Sequence, residues 1–368
     1  MATAQTTLSD TQHTTTNNDT ADPIEINDAD DIHNAVDEFT GELLDAVDNA
    51  AATGQITEYL NTLATVGASR YSIRNQIALM QQLRARDEDW TDHAEHWAGF
   101  WTWQNEHGRA VQKGADGFTI LAPVTGPACP DCGNAPNYHA NRPDLDCPRA
   151  GEDPGDWDFD PSEEWSDGVY YFSTATTFAY PQTEPLEDAD PDDVFEPQHR
   201  STGNDDRAAD LFDALRDAAE TAAFDGTGAI RVTETGRGRP GVRGSSSGGR
   251  VDVAGGDRSA ADTFRTLAHE IAHELLHFDG PVPSRDVPDE VKELEAEAVA
   301  YTVARSFGFQ VDGSELYVGA WLQHAKTTGV VDPDDEDDIA ARDVIRDRLD
   351  EIRSVAAEII EEIDARRD

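Results

Sequence analysis

The chain has 368 residues, 38% of them hydrophobic, and a formal net charge of −47 from 75 acidic and 28 basic residues. That length allows two domains with ample core, and that charge is read as an adaptation to salt rather than as the mark of an acid-seeking protein or of a polybasic partner. Only three of the 28 basic residues are lysines (Lys113, Lys292, Lys326). Such a balance reads as a protein of an extreme halophile's cytoplasm, where salt shrinks the Debye length to about 3 Å at 1 M and screens the self-repulsion.

Residues 1–30 are rich in Thr, Asp and Asn, and 1–35 is expected to be a disordered acidic tail. From Ile32 to Ala51 apolar residues recur at helical spacing: Val36, Phe39, Leu43, Leu44 and Val47. A second helix is expected over Thr57–Leu63. Val66–Arg86 follows with four arginines, Arg70, Arg74, Arg84 and Arg86, and no acid. In so acidic a chain, that gap reads either as a surface approaching phosphate or as a helix whose arginines pair with acidic neighbours.

Four of the seven tryptophans then cluster: Trp90, Trp97, Trp101 and Trp103. Bases stack on exposed aromatic faces while Arg or Lys holds the backbone. Trp97 and Trp101 also read as the core of a small domain. Gly108–Gly114, with Arg109 and Lys113, leads into a strand over Phe118–Ala122.

Residues 126–166 are polar and Pro-rich, yet hold all the cysteines. Cys129-Pro-Asp-Cys132, with His139 and Cys147, has the makings of a structural Cys₃His zinc knob. A segment this poor in apolar residues needs such a tie to fold. Free thiols and a redox pair are the competing readings.

Residues 186–204 are acidic and Pro-containing and read as a linker. Arg207–Ala222 is an amphipathic helix and Ile230–Thr233 a strand. Gly236–Arg250 is a Gly/Ser/Arg loop, open between a nucleic-acid contact and a mobile turn. It leads to Val251–Val253, expected to be an edge strand along which an extended substrate can lie.

The helix that follows, capped by Asp262 and stopped by Gly280-Pro281, carries His269-Glu270-Ile271-Ala272-His273. Positions i and i+4 share a helix face, so both imidazoles can address one metal ion while Glu270 acts as base. A second helix, Asp289–Phe307, offers Glu293 as third ligand. Glu297, one turn on, is placed to hold a ligand imidazole, and Glu295 points elsewhere. His277 is a competing ligand, disfavoured because three turns of one helix cannot easily surround an ion. Tyr317 and Trp321 open another helix, Tyr317 being either an oxyanion donor or a packing residue. Ile339–Ala365 is a long amphipathic helix.

His269-Glu270-x-x-His273-Glu274-Leu275-x-His277 followed by Glu293-x-Glu295-Ala296-Glu297 resembles both the ImmA/IrrE group of gluzincin-type metallopeptidases and the C-terminal domain of ArdC-like antirestriction proteins. Tyr71-Ser72-x-x-Asn75, Phe100-x-x-Trp103, Gly108-Arg109-x-Val111-x-Lys113-Gly114 and Thr177-Phe178-x-x-x-Gln182-Thr183-Glu184 resemble the ArdC-like N-terminal domain, which the ImmA/IrrE group lacks. The Cys-containing segment departs from that pattern.

The resemblance implies an α+β fold. An ArdC-like single-stranded-DNA-binding domain spans 36–185 with the zinc-knob insertion at 126–166, and a gluzincin-like metallopeptidase domain spans 205–368. It implies Zn²⁺ on His269, His273 and Glu293, and nucleic-acid contacts from Arg70, Tyr71, Arg74, Asn75, Trp103, Arg109 and Lys113. It also implies an antirestriction role in the cytoplasm. A non-catalytic DNA binder with a structural metal, and a repressor-cleaving protease with a protein substrate and a dispensable N-terminal half, are the alternatives. No run approaches about 18 apolar residues and no apolar leader is evident, so neither membrane span nor secretion signal is expected.

Overall fold

In the computed structural model the described residues are 26–45, 50–66, 71–86, 96–140, 142–187, 189, 194, 205–236, 243–256, 258–279, 282–283, 287–309 and 339–367. The expectations for residues 1–25, Arg70, Trp90, most of the linker, Tyr317, Trp321 and Lys326 lie outside them. The elements run α1 (Ala29–Asp45), α2 (Ala50–Val66), α3 (Ile73–Arg86), β1 (Trp97–Gly99), α4 (Phe100–Asn105), β2 (Arg109–Val111), β3 (Phe118–Pro127), α5 (Pro136–Ala140) and α6 (Pro161–Glu164). They continue with β4 (Asp167–Ala179), β5 (Thr183–Pro185), α7 (Asp205–Glu220), β6 (Arg231–Thr235), β7 (Gly244–Ser246), β8 (Arg250–Ala254) and α8 (Ala260–His277). The last are β9 (Phe278–Asp279), β10 (Val282–Pro283), α9 (Asp289–Ser306) and α10 (Ile339–Asp364). The mixed α+β class expected from the sequence is observed.

Two small sheets carry the architecture. In the first, β1, β4 and β3 lie in that order. β3 and β4 form a long antiparallel hairpin, from Phe118 opposite Thr177 to Pro127 opposite Asp167. In the second, β8 is central, parallel to β6 and antiparallel to β7. The edge strand beside the metal-motif helix is therefore β7, not Val251–Val253. Valines at 251 and 253 are buried in the helical core, and that draws their strand inward.

The main core joins apolar residues of α1–α3 to those of α7–α10, β6 and β8. At its centre α9 is buried on nearly all sides: Ala296, Ala298, Ala300 and Ala304 are small enough to let neighbouring helices approach closely. Among these neighbours is α2. Asn61 Oδ1 accepts from the Tyr301 hydroxyl at 2.9 Å and from Arg305 Nε at 3.0 Å. The N-terminal helices and the metal-motif helices thus share one core.

The tail expectation is corrected at its C-terminal end. Residues 29–35 belong to α1, because Ile32 and Ala35 are buried with Ala78 and Leu121. Asp262 is not the cap of α8. The Ser259 hydroxyl accepts from the Asp262 backbone N–H at 3.1 Å, so the helix starts one turn earlier. No helix among the described residues is long and apolar enough to cross a membrane.

Candidate metal centre

The two motif histidines project from one face of α8 toward α9. Their Nε2 atoms are 3.1 Å apart. Glu293 reaches across from α9, with Oε2 3.3 Å from His269 Nε2 and Oε1 3.5 Å from His273 Nε2. Two ligand atoms on one tetrahedral zinc, at bond lengths of 2.0–2.2 Å, lie about 3.3–3.5 Å apart. The three side chains thus already hold the spacing of a common ion, and their donor set of two imidazoles and one carboxylate suits a borderline divalent cation.

The far side of each imidazole is occupied. Glu297 Oε2 stands 3.4 Å from His269 Nδ1, while its other oxygen pairs with Arg265. His273 Nδ1 meets His277 Nδ1 at 3.0 Å, and His277 Nε2 meets Glu295 Oε2 at 2.9 Å. Glu295, only 1% exposed, is approached by the Arg348 guanidinium of α10 at 3.5 Å. His277 is therefore a link behind the site, not a ligand in front of it. Glu295, set aside in the sequence, anchors that link. Fixing Nδ1 in this way directs each Nε2 lone pair toward the ion position.

Glu270 lies beside the ligands at the wall of a cleft of about 910 Å³. Burial raises its carboxyl to about 7; the charges of Glu293 and Glu274 add to the rise, while His269 and the Ser246 hydroxyl oppose it. Hydrogen bonds from His269 and His273 hold the Glu293 carboxyl well below the usual carboxylate range. Two neighbouring carboxylates are thus pushed apart in acidity, one suited to carry a proton near neutrality and one to stay ionised.

β7 forms the facing wall. A Cβ on Gly244 would fall 2.5 Å from Glu270 Oε1, so any larger residue there would push the Glu270 carboxyl aside. Glu274, the residue after the second histidine, accepts backbone N–H bonds from Ser247, Gly248 and Gly249 at 2.9, 2.9 and 2.5 Å. One turn of α8 therefore supplies the raised carboxyl, a candidate ligand imidazole and the clamp on the strand. Gly244 and Glu274 were missed in the sequence. The only signal was the Ser/Gly run 244–249 itself, read there as an undecided loop.

The residues expected to meet nucleic acid are placed differently. Asn75 is buried, bonding the Leu121 backbone in both directions at 2.7 Å. Arg109 is buried, with Nε 2.8 Å from Thr183 Oγ1 and its guanidinium over the Tyr180 ring. Trp103 is fully buried against His96 and His107 and donates Nε1–H to the Phe178 carbonyl at 3.0 Å. These three have no face left for a base. Trp101, expected in the core, is 69% exposed beside exposed Phe100. Two residues apart on α4, Trp101 and Trp103 cannot both face the sheet. Tyr71 is half-buried and bonds Thr177; Arg74 is exposed beside His33; Lys113 is exposed. Arg84 forks onto Glu58 at 2.7 and 2.6 Å and Arg86 lies over Phe118. The acid-free stretch thus spends at least two of its arginines inside the fold.

Cys129, Cys132, His139 and Cys147 converge at the end of the β3–β4 hairpin. Burial pushes the Cys132 thiol up, but hydrogen bonds from the Asn134 side chain and backbone, with Cys147 and His139, bring it down to about 6. Burial raises the Cys147 thiol to about 11.

The chain is similar in fold to two crystal structures of the antirestriction protein ArdC from plasmid R388. The metal-free one is 16% identical with a TM-score of 0.42, over 91% of this chain and 98% of that one. The Mn(II)-bound one is 16% identical with a TM-score of 0.44, over 90% of this chain and 97% of that one. At this identity and these scores the likeness assigns no activity to the residues above. No family model and no curated protein matches the chain.

Proposed function

We propose that the cleft between α8, α9 and β7 is the active site of a divalent-metal peptidase. His269, His273 and Glu293 hold the metal, zinc being the ion the donor set suits best, and Glu270 is the general base. The observation that carries this reading is the conjunction at one point: three ligand atoms at the spacing of one ion, a carboxyl raised to about 7 beside them, and opposite them a strand edge that no other strand among the described residues pairs with.

An extended peptide would pair with the outer edge of β7, whose inner edge is bonded to β8. The metal, when bound, supplies Lewis acidity to a carbonyl and to water. Glu270, held near neutrality, takes the proton from the attacking water and returns it to the leaving amine. Glu297 and the His277–Glu295 link keep the two imidazoles aimed while charge builds on the ligands. Gly244 and the Glu274 clamp set the gap between base and substrate strand.

The first half of the chain is read as a single-strand-binding surface, with Phe100 and Trp101 in the stacking role first given to Trp103. Exposed Arg74 and Lys113 remain its candidate backbone contacts. The motif resemblance of the sequence supports an antirestriction setting for both halves.

The test is Glu270→Gln, assayed with a library of unstructured peptides read by mass spectrometry. Loss of cleavage with metal content retained supports the proposal. A wild-type protein that binds metal yet cleaves no peptide, alone or with single-stranded DNA, refutes it and leaves a metal-stabilised binder.

A further inference from the structure

Residues 126–166 form an arm that connects β3 to β4 at the Pro127–Asp167 end of the hairpin, remote in sequence from the cleft. Its buried side chains, among those described, are Cys129 and His139 alone. Its one apolar cluster, Trp157, Phe159 and Trp165, is only half-buried, and a loop of this length does not hold a shape on so little burial. Yet it contains two short helices and a Pro154–Asp156 3₁₀ turn.

The geometry points to a structural zinc ion held by Cys129, Cys132, His139 and Cys147, independent of the peptidase site. Cys129 Sγ and Cys147 Sγ are 3.8 Å apart. His139 Nε2 is 3.3 Å from Cys132 Sγ and 3.5 Å from Cys147 Sγ. All four ligand atoms lie within 4.8 Å of one another. For tetrahedral zinc with Zn–S near 2.3 Å and Zn–N near 2.05 Å, sulfur–sulfur and sulfur–nitrogen separations are about 3.8 and 3.6 Å.

The surroundings are those of a built ligand set. His139 Nδ1 lies 3.1 Å from the carbonyls of Ala135 and Pro136, so its proton sits there and Nε2 is left as the ligand atom. Cys129-Pro-Asp-Cys132-Gly133 closes a tight turn: Gly133 N–H donates to the Cys129 carbonyl at 2.7 Å, with Gly133 at φ 72°. A left-handed glycine there brings both sulfurs to the same side at little strain. Trp157 and Trp165 pack against the His139 ring at 5.7 and 6.1 Å between centroids, giving the site an aromatic wall. A disulfide would use two thiols and strand both the third and the imidazole. Soft thiolates with one imidazole, all four positions closed, select zinc and leave no place for substrate.

The test uses the full chain. Elemental analysis of wild type, Cys132→Ser and His269→Ala is expected to give two zincs, then one in each variant. Cobalt-substituted wild type should show thiolate-to-cobalt charge-transfer absorption, retained in His269→Ala and lost in Cys132→Ser. Removing zinc with a strong chelator should open residues 126–166 to limited proteolysis. The spectrum of wild type decides the matter even if Cys132→Ser misfolds. A cobalt protein without a thiolate band, or a native zinc-loaded chain whose three cysteines react with a thiol reagent as fast as in denaturant, would overturn the assignment.

Discussion

Replacing Glu270 with Gln should make the metal-free protein more stable, by an amount that grows as pH rises from 4.5 and levels off above about 7. The folded carboxyl is raised from 4.5 to about 7, chiefly by burial. Between those values the unfolded chain has released the proton and the folded chain still holds it. Stability therefore falls as pH climbs through that window, and the full penalty is present above about pH 7. A shift of about two and a half units corresponds to about 3 kcal/mol. Gln is isosteric and does not titrate, so the variant escapes the penalty. The assay is urea unfolding of both proteins in chelator, at constant salt, from about pH 4 to about pH 8. The stability difference should be flat at the acid end and grow by about 3 kcal/mol toward neutrality. Titrating groups that do not face Glu270 are common to both proteins and cancel; Glu293, Glu274 and His269, which couple to it more weakly than burial does, leave a smaller remainder. Adding a divalent cation should shrink the difference, since a nearby positive charge favours the ionised carboxylate. A difference that does not change with pH would refute the argument that burial perturbs this group.

Gly244→Ala should lower peptide turnover at least tenfold, about 1.4 kcal/mol of barrier, because its methyl would press on Glu270. Metal content measured alongside should be unchanged. Glu274→Ala should destabilise the fold by about 3 kcal/mol, and amide exchange at Ser247, Gly248 and Gly249 should accelerate first. Glu295→Gln should weaken metal binding at the cleft by about 10–100-fold, read by competition with a chromogenic chelator, while Cys-site occupancy holds. Trp101→Ala should weaken single-strand binding by about 1–3 kcal/mol without moving the unfolding midpoint. Trp103→Ala should instead cost about 3–5 kcal/mol of stability.

The sequence showed most clearly what depends on short spacing. The His269–His273 pair on one face and the Glu293–Glu297 pair on another follow from helical period, and the Cys129–Cys132 turn from two residues of spacing. What it hid depends on distant pairing. Which strand is the edge is decided by β8 lying between β6 and β7, and nothing local to Val251 reveals that. The exchange of Trp101 and Trp103 turns on the orientation of the short helix α4 against β4, where only one of the two indoles can meet the Phe178 carbonyl. The role of His277 needed Glu295 and then Arg348 from a third helix. In a chain so rich in glutamate, one buried glutamate looks like any solvated one until its surroundings are seen.

The fastening of α2 to α9 through Asn61 has a consequence for how the molecule is taken apart. A protease whose amino-terminal half were dispensable would survive truncation as an autonomous fragment. Here a fragment beginning near residue 205 would lay bare the flank of α9 that Leu60 and Leu63 share a core with, on the very helix that carries Glu293. Such a fragment should precipitate, and the intact chain should melt as one unit. In evolution the two halves are then inherited as an indivisible pair rather than as exchangeable cassettes.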